Sequence, residues 1–525
     1  MSRACAEVPV AVDRAGAVPL TDQITGQLRE AIRRGRVGAG ERLPSTRGLA
    51  ATLAVSRTVV TNAYAQLFAE GWLEGRHGSG SYAAAGAAAG PVSARLPAGG
   101  LAPAPTALAG PAMTTPAPDG PTPVRPAPDG PAAVRPAPDG PAADGSAPAR
   151  ERRMIDLRPG IPWSVGISDA AWRRAWRRAG TVPPSAAPEP DPRGSPALRQ
   201  VLAGYLRRMR AVSFQQRQVM ITRGVANSLD MLFAALLRPG ERVGIEEPGY
   251  PVARDIALAR GLRPVPCPVD EHGLVVDRLP DGLRLVYTTP AHQYPLGGRL
   301  PVPRRRALLD WAARTGAFIV EDDYDSEFRY DVAPLPSLYG LGPQGPAVVA
   351  YLGTTAKTLT PELTVGWLVA HEDVVDAVGQ TRQRLGDRTP MAAQHAVAAL
   401  IADGEIERHI RRMRLEYGRR RAAIVSALGG LPPPARLLGD TAGMHALLRL
   451  PADVVAPAME TAERHGIALM ALDRYFGGPA GGHGLVLGYG GATQSQVIAA
   501  SRKLRDILLP MLVARTGRSG PALSA

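Results

Sequence analysis

Lys357 ends the run Val348-Val-Ala-Tyr-Leu-Gly-Thr354-Thr-Ala-Lys357, where an apolar strand gives way to small and hydroxyl residues. The chain has 525 residues and 61 basic side chains, yet only two lysines, Lys357 and Lys503. A lysine that persists against that bias is poorly explained as surface filler. An amine at a strand end beside hydroxyls suits Schiff-base chemistry, in which it attacks an aldehyde. A second apolar run, Ala317-Phe-Ile-Val-Glu-Asp322-Asp323-Tyr324-Asp325, ends in acids. Open α/β sheets bind ligands at that end of their strands. One carboxylate could pair with a protonated ring nitrogen, and the crowding also admits a metal ion. A third strand-like run, Val219–Thr222, leads through Gly224 and Val225 into a helical stretch whose free backbone N–H groups could hold an anion. Tyr250, between Gly249 and Pro251, could face a flat ligand or simply pack.

These residues need a scaffold. From about Ile155 onward, apolar runs alternate with amphipathic stretches, which predicts one large α/β domain over 153–515. Ahead of it, 83–152 holds 16 of the 52 prolines, no aromatic residue and a ten-residue near-repeat built on PAPDG. Such a stretch has no side chains for a core and is expected to be a flexible Pro/Ala/Gly-rich tether.

Residues 15–82 have helical spacing. Leu20, Ile24, Leu28 and Ile32 give a first helix one apolar face. Ser45 and Ser56 are natural N-caps for a short second helix and a third. Two short strands around Gly75–Ser79 then complete a winged helix-turn-helix pattern, with a plain three-helix bundle as the bland alternative. Ser56, Arg57, Thr58 and Thr61, near the third helix's start, could reach base edges in the major groove. Arg47, His77 and Gly78 could hold phosphates and set register.

The strings PSTRGLA, VSRT, AYAQL and RHGSGSY, in that order, closely resemble the DNA-binding domain of the GntR family of bacterial regulators. Farther on, TPAHQYPLGG, VEDDYDSEFRYD and YLGTTAKTL resemble the fold-type I aminotransferase domain of the MocR/GabR branch of that family. The resemblance implies an α+β winged helix-turn-helix head joined by a long linker to an α/β aminotransferase-like domain. It implies pyridoxal 5'-phosphate as cofactor and gives each matching position a role. Lys357 would hold the aldehyde, Asp322 the pyridine nitrogen and Tyr324 the ring hydroxyl. Tyr250 would stack on the ring, and Tyr294 stands where aminotransferases place a ring-contacting asparagine. Thr354 and the Gly224-Val225 backbone would hold the phosphate. The partners implied are a double-stranded DNA operator, a small-molecule effector and a second copy of the chain.

Two positions depart from that pattern. Thr364 occupies the place of the arginine that clamps the phosphate, and losing a bidentate cation should weaken cofactor binding. No replacement is evident in the sequence. Gly490 and Gly491 stand where transaminases carry an arginine for the substrate carboxylate. Regular transaminase turnover is therefore not expected; a half-reaction is the most the chain would perform. The leading expectation is a regulator that senses pyridoxal phosphate, a small amine or an amino acid. A working aminotransferase with a DNA-binding head, or a ligand-blind dimeric DNA-binding protein, are the alternatives.

Composition agrees with this class without deciding it. The net charge of +14 favours a polyanion partner, although an arginine-rich coding bias inflates that signal. No apolar run approaches the roughly 20 residues of a membrane span. Two distant cysteines, Cys5 and Cys267, exclude a disulfide framework. A reduced, cytoplasmic bacterial setting is expected, with the chain on the nucleoid when bound to DNA.

Overall fold

The computed structural model describes residues 10–14, 18–38, 40–76, 80–84, 154–183, 190–210, 212–330, 337–341, 345–439 and 442–518. Helix α1 (Leu20–Arg33) buries Ile24, Leu28, Ala31 and Ile32 on one face, as its spacing predicts. Ser45 caps α2 (Thr46–Thr52), accepting from Gly48 N–H at 3.0 Å, and Ser56 caps α3 (Arg57–Ala69), accepting from Val59 N–H at 3.4 Å. A hydroxyl at each start satisfies a backbone donor that the helix cannot. Between these helices Ala54 takes a left-handed conformation, φ 51°, which makes the turn tight. Strands β1 (Leu73–Arg76) and β2 (Gly80–Ala83) pair antiparallel as the wing. His77 and Gly78 lie outside the described residues.

The stretch 83–152 also lies outside them except at its start. There β2 continues through Ala83, and both Ala83 and Ala84 are buried. Their N–H groups donate to Glu41 and Trp72 carbonyls at 2.9 Å, so the head extends slightly past its expected end.

Strand β3 (Ile155–Asp156) opens the large domain, followed by α4 (Asp169–Gly180) and α5 (Pro196–Arg210). The main sheet uses β4 (Val219–Thr222), β5 (Arg242–Glu247), β6 (Arg263–Asp270), β7 (Gly273–Leu274), β8 (Leu285–Thr288), β9 (Phe318–Asp322), β10 (Val349–Thr354) and β11 (Gly366–Val369). Their spatial order is β4-β11-β10-β9-β8-β5-β6-β7. The run β10-β9-β8-β5-β6 is parallel, while β11 is antiparallel to both β10 and β4. Apolar clusters cover both faces, which is why β8, β9 and β10 are buried at every residue. Between the strands run α6 (Val225–Leu236), α7 (Pro251–Ala259) and α8 (Val302–Thr315). A smaller antiparallel sheet, with His445–Arg449 and Gly484–Gly488 at its centre, packs with the helices Ala452–Arg464 and Gln494–Arg518.

The head rests on the start of α8. Val302 N–H donates to the Glu70 carbonyl at 3.2 Å, and Val302 is buried within the head's own apolar cluster. The Arg306 guanidinium lies 4.7 Å from the centre of the Trp72 ring, a cation–π contact. Glu70 itself is buried and held by Arg29 at 2.6 and 2.8 Å and Gln66 at 2.6 Å.

Val302→Asp puts a carboxylate into that apolar cluster and should lift the head from α8. Hydrogen exchange should then speed up by at least an order of magnitude at Glu70–Trp72 while β9 and β10 keep their protection. Unchanged exchange at Glu70–Trp72 would contradict this docking.

Candidate functional site

The C-terminal ends of β8, β9 and β10 open into a cavity of about 230 Å³. All eight residues expected to bind a cofactor line it: Lys357, Asp322, Tyr324, Tyr250, Gly224, Val225, Thr354 and Tyr294. They come from strand ends and loops far apart in the chain, and the sheet order brings them together.

Lys357 Nζ donates to the Gly160 carbonyl at 2.7 Å. Burial lowers its pKa, against the opposing pull of Asp325 and Asp322, so the neutral, nucleophilic amine is easier to reach. Asp322 accepts from the Tyr287 hydroxyl through Oδ2 at 2.5 Å, while its buried Oδ1 has no hydrogen-bond partner. Burial, with Asp323 and Asp325 adding, pushes this carboxyl up to about 7 despite the Tyr287 hydrogen bond and the Lys357 charge. An orphaned carboxylate oxygen facing a cavity is what a protonated ring nitrogen would satisfy.

The aromatic residues enclose the same space. Tyr250 is pushed up to about 12 by burial and the Asp322 charge, and it stays a neutral phenol. Tyr294 shares a 3.0 Å contact with the Tyr475 hydroxyl. The Tyr324 hydroxyl donates to the His292 carbonyl at 3.0 Å. At the other end Gly224 takes φ +103°, a conformation L side chains rarely adopt, and gives α6 its start. Thr354 Oγ1 accepts from Ala356 N–H at 3.0 Å and lies beside Gly224. Backbone donors, a helix start and a hydroxyl together suit a phosphate. Donor set, orphaned carboxylate and buried amine all fit pyridoxal phosphate.

The carboxylate end is different. A Cβ on Gly490 would lie 2.2 Å from the Ile161 carbonyl oxygen, and one on Gly491 would lie 2.7 Å from the Ile161 side chain. The chain's own Gly160–Ile161 segment fills the space that a larger side chain there would need. Nearby, Arg420 is buried and donates to the Gly490 carbonyl at 2.8 Å while covering the Trp163 ring at 4.6 Å. It does not line the cavity.

Sequence reasoning missed several lining residues. Arg223 joins Gly224 and Thr364 at the phosphate end, and Asp325, Met444 and His445 close the opposite side. His292, Asp325 and His445, all buried, bring ligating atoms within 4.8 Å of one another. His292 Nδ1 sits 3.0 Å from Asp325 Oδ2, and burial followed by the His292 ring keeps His445 well below its usual pKa. Arg223 carried a signal in its adjacency to Gly224. The histidines, far apart in sequence, carried none.

On the head, Arg57, Thr58 and Thr61 are exposed along the first turns of α3, and exposed Ser56 caps it. Arg47 is exposed on α2.

Comparison with known proteins agrees with both halves. Residues 20–82 match the family of bacterial regulatory proteins of gntR type, and residues 166–475 match aminotransferase class I and II. The HTH-type pyridoxine biosynthesis transcriptional regulator PdxR of Corynebacterium glutamicum is 34% identical over 92% of this chain and 95% of its own length. The probable rhizopine catabolism regulatory protein MocR of Rhizobium meliloti is 30% identical over 95% and 96%. This chain is a MocR-type regulator of the GntR family. Among solved structures, the α-aminoadipate aminotransferase LysN of Thermus thermophilus, complexed with N-(5'-phosphopyridoxyl)-L-leucine, is 27% identical. It covers 69% of this chain and 93% of its own, with a TM-score of 0.62. The MocR-type chain thus joins a GntR helix-turn-helix to an aminotransferase fold. No helix among the described residues is long and apolar enough to cross a membrane.

Asp322 has a stability consequence. Its folded pKa lies above the unfolded value, so folding loses stability as pH rises from about 4 through about 7. Asp322→Asn removes that loss and keeps an acceptor for Tyr287. The ligand-free variant should outlast the wild type at pH 8, by on the order of 3 kcal/mol, with a smaller gain at pH 5. Thermal midpoints at the two pH values check this; an equal gain at both would contradict a buried, ionising Asp322.

Proposed function

We propose that this regulator binds pyridoxal 5'-phosphate in the cavity and that the vitamer itself is the signal that changes its hold on operator DNA. The observation that carries the reading is the pairing of an amine, Lys357, and an orphaned carboxylate, Asp322, in one cavity. The name of the PdxR relative, a regulator of pyridoxine biosynthesis, supports the same effector. A small amine captured with the cofactor is the nearest alternative within this reading. A full transaminase cycle needs a grip on an amino-acid carboxylate, and the glycines at 490 and 491 offer no side chain for one.

Pyridoxal phosphate, when bound, supplies an aldehyde and an electron-poor ring. Lys357 would present its amine to that aldehyde, and burial, which lowers its pKa, favours the neutral nucleophilic form. Asp322 holds a proton at the ring nitrogen. Tyr324, on releasing the His292 carbonyl, would donate to the ring hydroxyl, Tyr250 would stack on the ring, and Tyr294 would contact it. Thr354 and the N–H groups at Gly224 and Val225 take the phosphate.

Read this way, the chain divides into a DNA-binding head (15–82), a tether (83–152) and an effector and dimerisation domain (153–515). Ser56, Arg57, Thr58 and Thr61 read bases, while Arg47, His77 and Gly78 contact phosphates. Two copies related by a twofold axis would place two heads on two half-sites.

The absorbance spectrum with added pyridoxal phosphate tests the cofactor. A visible band that borohydride removes, present in the wild type and absent in Lys357→Ala, is the expected outcome. No band at saturating cofactor would overturn the sensor reading and leave DNA binding alone. For DNA, Arg57→Ala should weaken binding to fragments selected by the wild type by roughly 10–100-fold. Mobility shifts with and without pyridoxal phosphate measure both that loss and the response to the vitamer.

A further inference from the structure

The phosphate end of the cavity lacks the cation expected at position 364, and a different residue stands ready to supply it. Thr364 lines the cavity but is uncharged, and it adopts the left-handed conformation, φ 47° and ψ 43°. That is an unusual choice for a β-branched residue. Across the same end, Arg223 sits on the turn between β4 and α6, immediately before Gly224. The turn is clamped against β11, since a Cβ on Gly366 would lie 2.6 Å from Gly224 Cα. Arg223 therefore issues from a fixed backbone beside the N–H groups proposed to bind phosphate.

The charges around Arg223 do not cancel. Its Nη2 pairs with Asp387, whose carboxylate also accepts from Arg382 Nε at 2.8 Å and from Asn227 Nδ2 at 3.3 Å. Arg382 is committed to the interior. It is buried and donates as well to the carbonyls of Pro192 and Ile221 at 2.8 and 2.6 Å and to Thr389 Oγ1 at 2.9 Å. One carboxylate thus faces two guanidinium groups. Arg223, with 49% of its side chain exposed, is the one free to turn toward the cavity. Apart from Lys357 it is the only arginine or lysine among the described lining residues.

We propose that Arg223 is the phosphate-binding cation of this chain, taking over from the side chain that Thr364 has replaced. Asp387 holds it in reserve, and a dianionic phosphate outcompetes an already compensated carboxylate for it. The proposal rests on the reading that the cavity takes pyridoxal phosphate.

The test compares pyridoxal phosphate with pyridoxal, which has the same aldehyde and ring but no phosphate. Titrations followed by absorbance would use the wild type, Arg223→Gln, Thr364→Arg and the double variant. Arg223→Gln should weaken pyridoxal phosphate by roughly 10–100-fold, the scale of a lost charge-assisted hydrogen bond, and leave pyridoxal within about threefold. Adding Thr364→Arg should restore most of the phosphate preference. Inorganic phosphate should raise the thermal midpoint of the ligand-free wild type and not that of Arg223→Gln. Equal loss of both aldehydes in Arg223→Gln would mean that the residue only shapes the turn, and would overturn the proposal. So would an unchanged affinity for pyridoxal phosphate. A wild type that binds neither aldehyde would instead remove the cofactor reading itself, and this proposal with it.

Discussion

Arg210 and Asp323 face each other at 2.5 Å with both side chains out of water, and the acidic end of β9 depends on that pair. Three acids in succession, Glu321, Asp322 and Asp323, are buried there. Charges so placed survive only when each has its own compensation. Asp323 has Arg210 and the Tyr351 hydroxyl at 2.6 Å. Glu321 accepts backbone N–H groups from Leu338 and Tyr339 at 2.9 and 3.1 Å. Asp322 has one tyrosine; one oxygen each of Asp322 and Asp323 lacks a hydrogen-bond partner, but of the three acids only Asp322 lines the cavity. The neighbours' compensation is what allows a single carboxylate to stay available for a ligand.

Much of this was legible from the chain, because the signals are local. A strand that ends in acids, a strand that ends in Thr354 and Lys357 and a strand that turns at Gly224 each announce themselves within ten residues or so. Their meeting at one cavity follows from a parallel sheet, whose C-terminal edges share one side. Ser45 and Ser56 were readable as caps for the same reason. Long-range facts were not readable. Ile161 fills the space at Gly490, and His292 meets His445, only because segments far apart are packed together. Arg223 stood next to Gly224 in the sequence, but in an arginine-rich chain that adjacency did not set its side chain apart. Its distinction lies in how Asp387 and Arg382 balance around it.

The head and the cavity share a piece of chain. Thr289 and Tyr294 line the cavity, and the same stretch runs on to Pro301 and Val302, against which Gly71 and Glu70 of the head rest. Arg305, buried in α8, ties the stretch together by donating to the carbonyls of Leu300 and Pro290 at 2.7 Å. Gln293 and Thr289 anchor its other end on Glu246.

Lysine scarcity has a last consequence. Aldehydes react with any accessible amine, and an ordinary protein surface offers dozens of lysines as weak, competing sites. Here the second lysine, Lys503, lies part-buried on the helix Gln494–Arg518, and arginine carries nearly all the remaining positive charge. Guanidinium groups stay protonated and do not condense readily with an aldehyde at neutral pH. The surface is therefore chemically quiet toward carbonyl compounds. An aldehyde that meets this molecule finds few amines to divert it from the buried Lys357.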